Sequence, residues 1–390
     1  MSYTTLRSFI KKQILRMLRP FKLYRSFALV PAGEIGFKQL GTGAEILFYK
    51  DFEPIKRSLP ETPDTGYLKN FEPLLEDTPS PVFVIKAEGW RVWGNQGAVI
   101  TVNNYLFRDV AREFDKPDHT IFKQFKLIKP DLIKGTTAVI AASGADMYYH
   151  WMFDVLPRIK LINDCNLPTA IDHYILYYRD VAFQNEGLAA AGIDLKKIVV
   201  SVDPWNFHIK AEQLIVPSFP SKLNTVSAEA CRFLINTFLN KHAGSKFGKK
   251  IYLKRKGKRE IVNGTEIENY LEGLGFETVL CENYTIAEQA SIFYNADIVI
   301  GPHGAAFTNV VFCKPGTKVI EFFAPGWINP CYWTICNEVS LKYYYLVGEC
   351  DTASANAGSD GIEHNIQLDL DKLQQFITQY SILTAIEQKA

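Results

Sequence analysis

The residues with the clearest chemical potential lie in Ile298-Val299-Ile300-Gly301-Pro302-His303-Gly304-Ala305-Ala306-Phe307-Thr308-Asn309. A short apolar run that ends in Gly-Pro reads as a buried strand delivering the chain to the carboxyl edge of a parallel sheet. The glycine turn lets the backbone approach a ligand. The next helix aims its first N–H groups and its positive dipole end at an anion such as a phosphate. His303 stands in the turn, where its side chain reaches the same ligand. A second apolar run, Val319-Ile320-Glu321-Phe322-Phe323, carries a carboxylate that can accept hydrogen bonds from ribose hydroxyls. The plainer alternative is an ordinary strand-to-helix turn with Glu321 paired to a neighbouring side chain.

Two further constellations could carry chemistry. In Met147-Tyr148-Tyr149-His150-Trp151-Met152-Phe153-Asp154-Val155-Leu156-Pro157-Arg158, helical spacing puts His150, Asp154 and Arg158 on one face. Tyr148, Met152, Val155 and Ile159 fall on the opposite, buried side. The segment comes after Ala138-Val139-Ile140-Ala141-Ala142-Ser143-Gly144, so the helix opens at a strand's carboxyl end. There, His150 or Asp154 can remove a proton from a hydroxyl nucleophile. The spacing also allows His150 to act with Asp154 orienting it, or a purely structural His–Asp–Arg network. Pro157 is expected to kink the helix, which makes Arg158 the loosest member of the stripe. In Tyr252-Leu253-Lys254-Arg255-Lys256-Gly257-Lys258-Arg259, a strand runs into a basic loop ahead of a helix starting near Asn263. Arginine forks at a strand end suit diphosphate oxygens, whereas a solvated basic turn is the alternative.

The elements needed to position these residues are those of a large α/β protein. At 390 residues the chain exceeds one ordinary core and calls for two domains. Its hydrophobic content of 47% marks it as globular, and a formal net charge of +1 gives no basic excess that would point to nucleic acid. Seven cysteines without metal-type spacing imply free thiols and a reducing, cytoplasmic setting. His150 and His303 are far apart and neither has a second ligand beside it, so no metal site is expected. No run long enough to span a membrane occurs, and the N-terminus lacks the apolar core of a secretory signal. Residues 1–25 are nevertheless basic and amphipathic, with Arg7, Lys11, Lys12, Arg16, Arg19, Lys22 and Arg25 around Leu6, Phe9, Ile10, Ile14, Met17 and Leu18. The pattern fits a helix on the anionic inner face of a membrane, or one docked on the protein.

Residues 50–81 read as a connecting segment, and from about residue 136 strands alternate with helices. His242 to Lys250 looks like a linker, after which the alternation restarts. The expected divisions are an acceptor-side Rossmann-like domain over 80–242, a nucleotide-binding one over 250–350 and a final helix over 365–389. Two doubly wound sheets of this kind would face each other across a cleft. Gly-x-Ser-x-Gly, Walker and Gly-x-Gly-x-x-Gly signatures are missing, which argues against an α/β-hydrolase, a P-loop kinase and an ordinary dehydrogenase.

At the three constellations the chain resembles glycosyltransferase family 61, in particular its bacterial capsular-polysaccharide members. The resemblance rests on Tyr149-His150-Trp151 with Asp154-Val155-Leu156-Pro157-Arg158, on Arg255 and Arg259 before Asn263, and on Leu274-Gly275-Phe276. It continues through Glu288-Gln289, Gly301-Pro302-His303-Gly304-Ala305 and Thr308-Asn309 to Pro315-Gly316-Thr317-Lys318-Val319-Ile320-Glu321. Family members often have an acidic residue after the Asn, and here it is Gly264. The resemblance implies a GT-B-type fold and inverting, metal-independent transfer from a nucleotide sugar to a glycan or lipid-linked glycan. It also implies Arg255 and Arg259 at the diphosphate, His303, Gly304 and Asn309 at the donor site, and Glu321 near the ribose. His150 and Asp154, flanked by Trp151 and Arg158, would face the acceptor. The competing readings are a nucleotide-sugar epimerase or hydrolase, and a non-catalytic binding module.

Overall fold

The computed structural model of the chain describes residues 27–41, 43–114, 118–240, 244–350 and 364–383, which divide into two compact units. Unit 1 comprises residues up to 50 together with 81–219, and unit 2 comprises 51–80 with everything from 220 onward. The basic segment 1–25, the small-residue loop 351–361 and residues 384–389 of the expected final helix lie outside the described residues.

Unit 1 is built on a ten-stranded mixed sheet. Its strands are β1 (Glu34–Ile35), β2 (Ala44–Lys50), β3 (Val82–Glu88), β4 (Arg91–Trp93), β5 (Ala98–Ile100), β6 (Leu106–Phe107), β7 (Asp131–Val139), β8 (His173–Leu176), β9 (Ile198–Val200) and β10 (His208–Pro217). The order β9-β8-β7-β10 is parallel. From β10 outward the sheet turns antiparallel, because β3 and β4 both pair with β10 against its direction, and only the edge pair β1–β6 there is parallel. Only this four-strand part is of the doubly wound kind read from the sequence. The preceding hairpins were too short to reveal that they extend the same sheet. Ile85, Val92, Val139, Ile175 and Val216 share one fully buried cluster. Each such side chain contributes about 1.5–3 kcal/mol through burial.

Unit 2 carries a five-stranded, wholly parallel sheet of β11 (Lys250–Leu253), β12 (Glu277–Val279), β13 (Ile298–Pro302), β14 (Lys318–Phe323) and β15 (Lys342–Val347), in the order β12-β11-β13-β14-β15. Parallel strands covered on both faces must be apolar throughout, which is why they stand out in the sequence as continuous runs. Chain order reverses direction between β11 and β13, and in open α/β sheets ligands bind outside the carboxyl ends at that switch point. The helix at Ala228–Phe238 belongs to this unit, not to the one before it. The helix at Ile286–Asn295 opens on a capping box, in which Thr285 and Glu288 satisfy each other's backbone N–H groups. The last described helix, Leu370–Gln379, buries Leu373, Phe376 and Ile377 against the β11–β15 sheet.

The segment 51–80 is no mere connector. Thr62 Oγ1 donates to Tyr345 O at 2.9 Å, and Asp64 accepts from Val347 N at 2.7 Å. Phe71 is fully buried and stacks on Tyr345 at 5.2 Å. The strap thus covers the outer edge of β15, which would otherwise expose unpaired backbone groups. Its Pro-rich composition hid that role. All seven cysteines are free thiols, and among the described residues no helix is long and apolar enough to cross a membrane.

Candidate functional site

In unit 1 the chain leaves β7 through Ile140 to Gly144 and enters a helix in three parts: α-helical at Tyr148–His150, π-helical at Trp151–Val155 and α-helical at Leu156–Asp164. Pro157 cannot donate to the carbonyl four residues back and its ring crowds that carbonyl, and the helix widens just ahead of it instead of kinking. Gly144 has a φ of +70°, and a Cβ there would lie 2.7 Å from the His150 ring. Both the backbone and the imidazole therefore require glycine.

His150 Nδ1 meets Asp154 Oδ2 at 2.6 Å. Asp154 Oδ1 accepts from Arg112 Nη1 at 3.3 Å, and Ser143 Oγ pins the Arg112 carbonyl at 2.7 Å. Phe114 lies 4.6 Å from the His150 ring, centroid to centroid. Both Asp154 oxygens are thus engaged on a buried carboxylate, while the His150 ring keeps Nε2 for another partner. That is the arrangement of a base with an orienting acid.

Arg158 departs from the face expected of it. Its guanidinium donates to Ala141 O, Val139 O and Pro217 O at 2.9–3.0 Å and is fully buried. Burial lowers its pKa to about 9. It laces the ends of β7 and β10 together from within the core. Trp151 is likewise wholly buried, its indole packed on Gly187. The spacing was right for His150 and Asp154, but the π-turn rotates the residues beyond it.

In unit 2 the switch point holds the other constellation. Arg255 comes after β11, and His303-Gly304 come after β13. A Cβ added to Gly304 would lie 2.0 Å from Arg255 Nη1, so the guanidinium occupies the space a side chain would take. Gly301 is needed for a different reason, since a Cβ there would be 2.8 Å from Leu253 O on the neighbouring strand. Arg255 Nε donates to Lys258 O, which curls the basic loop. Arg259 adopts a φ of +62°, an uncommon conformation for a side-chain-bearing residue, and lays its guanidinium 5.1 Å over Trp327. Burial lowers both arginine pKa values, and for Arg259 the Arg255 charge adds to it. Among the described residues neither arginine forms an ion pair with a carboxylate. Two mutually repelling cations held this way have the charge and geometry that suit an anion.

Beneath them His303 is caged by Phe323, Trp327 and Tyr332 at 4.7–5.2 Å. Its Nδ1 bonds Glu321 Oε1, and the Tyr343 hydroxyl donates to Glu321 Oε2. Glu321 is fully buried with both oxygens taken. It therefore holds His303, the side-chain pairing that was the plainer alternative, and exposes no surface to a ribose. Asn309 is also buried, its amide donating to Gln289 Oε1 at 2.6 Å and Ala306 O at 3.1 Å. It ties the 3-10 helix at Ala305–Phe312 to the helix at Ile286–Asn295.

Sequence reasoning missed Arg112, Trp327, Tyr332 and Tyr343. Tyr343 had a usable signal. In the β14–β15 register Glu321 opposes Tyr345, and Tyr343 lies two residues back on the same face. Arg112 had none, being an isolated cation brought to Asp154 by long-range folding. Among the described residues, no group of three or more His, Cys, Asp or Glu side chains is placed to hold a metal ion.

No curated protein matches the chain. A family model does match, over residues 148–320, from two positions before His150 to the position before Glu321, and so takes in the His150–Asp154 pair, both arginines and the His303-Gly304 turn. That segment, somewhat less than half of the chain, is similar to the family described as Glycosyltransferase 61.

Proposed function

We propose that the protein transfers a sugar from a nucleotide-sugar donor to a hydroxyl of a glycan, with inversion at the anomeric carbon. The family that residues 148–320 match implies glycosyltransferase activity in general. The observation that carries the finer reading is the pair Arg255 and Arg259, cationic and, among the described residues, without a carboxylate ion-pair partner, at the switch point of a parallel sheet. A nucleoside diphosphate has the charge and the two-pronged oxygens such a pair accepts.

In this reading unit 2 is the Rossmann-like nucleotide-binding domain. His150 Nε2 in unit 1 takes the proton of the acceptor hydroxyl, while Asp154 and Arg112 hold the ring in place. The acceptor oxygen bonds to the anomeric carbon, and the bond from that carbon to the diphosphate breaks with its electron pair passing to the leaving oxygen. Arg255 and Arg259 stabilise the charge that develops there. His303, fixed by Glu321 and Tyr343, lines the floor of the same site.

A panel of nucleotide sugars screened for a rise in melting temperature identifies the donor. Incubation of that donor with glycan acceptors, and then NMR of the product, reads both transfer and anomeric configuration. Release of free sugar without a new glycosidic bond in the presence of every acceptor would make the protein a hydrolase instead.

A further inference from the structure

Unit 1 contains a second recess that the reaction above does not use. It lies at the turn Gly94 to Gly97 between β4 and β5 and has a volume of about 150 Å3, smaller than a drug-sized site and suited at most to a single small ring. Its aromatic walls are Trp93 and Trp205, with ring centroids 6.0 Å apart at 55°. Trp205 is half exposed, while Trp93 is buried. Asp203 accepts from the backbone N–H groups of Trp205 and Asn206, which fixes the loop presenting the indole. The opposite wall is set by Glu113, which accepts from both the backbone N–H and the hydroxyl of Thr120.

Three features define what the recess would take. Among the described residues that line it there is no lysine or arginine, and the carboxylate of Glu113 on its wall disfavours a phosphate. It offers an aromatic face wide enough for the C–H face of a pyranose ring. And the Trp93 indole N–H and the Gln96 amide oxygen, both of which border it, are buried without a hydrogen-bond partner. One is a donor and the other an acceptor. A sugar hydroxyl is both at once, and the small side-chain shifts common on binding suffice to bring it to them.

The recess is also tied to the base. Gly97 packs on Ala141, just past β7, and Asn95 O accepts from Ser201 Oγ, just past β9. Arg112 holds Asp154, and the next residue, Glu113, lines the recess. We propose that this recess is a subsite for a neutral pyranose ring of the acceptor glycan, a ring near the one whose hydroxyl reacts. The assignment to an acceptor rests on the transferase reading, and the assignment to a pyranose rests on the recess alone.

The test uses the full chain and a panel of methyl glycosides of glucose, galactose, mannose, N-acetylglucosamine and xylose, with uridine as a flat aromatic control. Saturation-transfer NMR should show transfer to the ring C–H protons of at least one glycoside. The indole signal absent from Trp205→Phe should shift on titration. Trp205→Ala, at a half-exposed position, should weaken that binding at least tenfold, and Gln96→Ala should weaken it severalfold. Nucleoside diphosphate binding, measured on the same samples, should not change in either variant. No transfer to any glycoside, equal transfer in Trp205→Ala, or displacement by uridine overturns the subsite. Absence of nucleoside diphosphate binding in the wild type overturns the transferase reading instead, and leaves a Trp205-dependent glycoside signal standing as a sugar site.

Discussion

His303 and Glu321 are bonded to each other inside unit 2, from Nδ1 to Oε1, with Tyr343 donating to the second carboxyl oxygen. Burial pushes the Glu321 pKa well up and the His303 pKa well down, and the charges of Arg259 and Arg255 disfavour an imidazolium further. Both shifts favour a neutral pair, in which protonated Glu321 donates to Nδ1 and His303 presents Nε2–H as a donor. Glu321→Gln preserves that pattern, because its amide can donate to Nδ1 and accept from Tyr343. The substitution should leave nucleoside diphosphate affinity within about threefold of wild type, a change of under about 0.7 kcal/mol. Glu321→Ala strands His303 and Tyr343 and should lower folding stability by about 1–3 kcal/mol for each buried group left unpaired. Calorimetry and denaturant unfolding read the two effects. A large affinity loss in Glu321→Gln would show that a charged carboxylate–imidazolium pair is needed.

The base is addressed by His150→Ala and Asp154→Asn. Transfer should fall by roughly a hundredfold or more in His150→Ala. In Asp154→Asn it should fall because the ring loses the carboxylate that fixes its orientation and tautomer. Donor affinity should be retained in both, since neither residue belongs to the diphosphate site. Steady-state kinetics beside donor titration check this, and near-normal turnover in both variants would move the base elsewhere.

How much of the fold and site was legible in the sequence depends on which forces are local. The unit 2 strands and the Gly301 and Gly304 turn were readable, because burial on both faces and close backbone approach each demand particular residue types at fixed spacing. The mixed sheet of unit 1 was not, since pairing of short strands such as Arg91–Trp93 with His208–Pro217 is decided over more than a hundred residues of chain. Spacing found the His150–Asp154 pair, but it could not foresee the π-turn that sends Arg158 into the core. Glu321 was read as a carboxylate in an apolar run and Asn309 was placed by the resemblance, and both were assigned to a ligand. Their actual partners are His303, Tyr343 and Gln289, and polar groups in a core generally bond to other protein groups.

Unit 1 should lose stability in mild acid through His208. This ring is buried, and its Nδ1 donates to Ile128 O at 2.6 Å, fixing the neutral tautomer. Burial lowers its pKa from 6.5 to about 4, with Arg91 adding to the shift against the Ile128 hydrogen bond. A lowered folded-state pKa means that the unfolded chain takes up a proton the folded one refuses. The contribution is complete above about pH 6.5 and fades as the pH falls toward 4, by up to about 3 kcal/mol. Denaturant unfolding of wild type and His208→Gln across that window should give a steeper pH dependence for the wild type. Parallel curves would show that His208 titrates normally.

The most direct test of the account is calorimetric titration of UDP and GDP into the wild type, Arg255→Ala, Arg259→Ala and Gly304→Ala. The wild type should bind at least one of them. Each arginine variant should lose about 1.5–3 kcal/mol, roughly ten- to a hundredfold in Kd, as expected for a charge-assisted hydrogen bond. Gly304→Ala, whose new methyl would displace the Arg255 guanidinium, should lose affinity in the same direction while melting as a folded protein. Undiminished binding by both arginine variants would contradict the assignment of the diphosphate to Arg255 and Arg259, and with it the donor site of the proposed transferase.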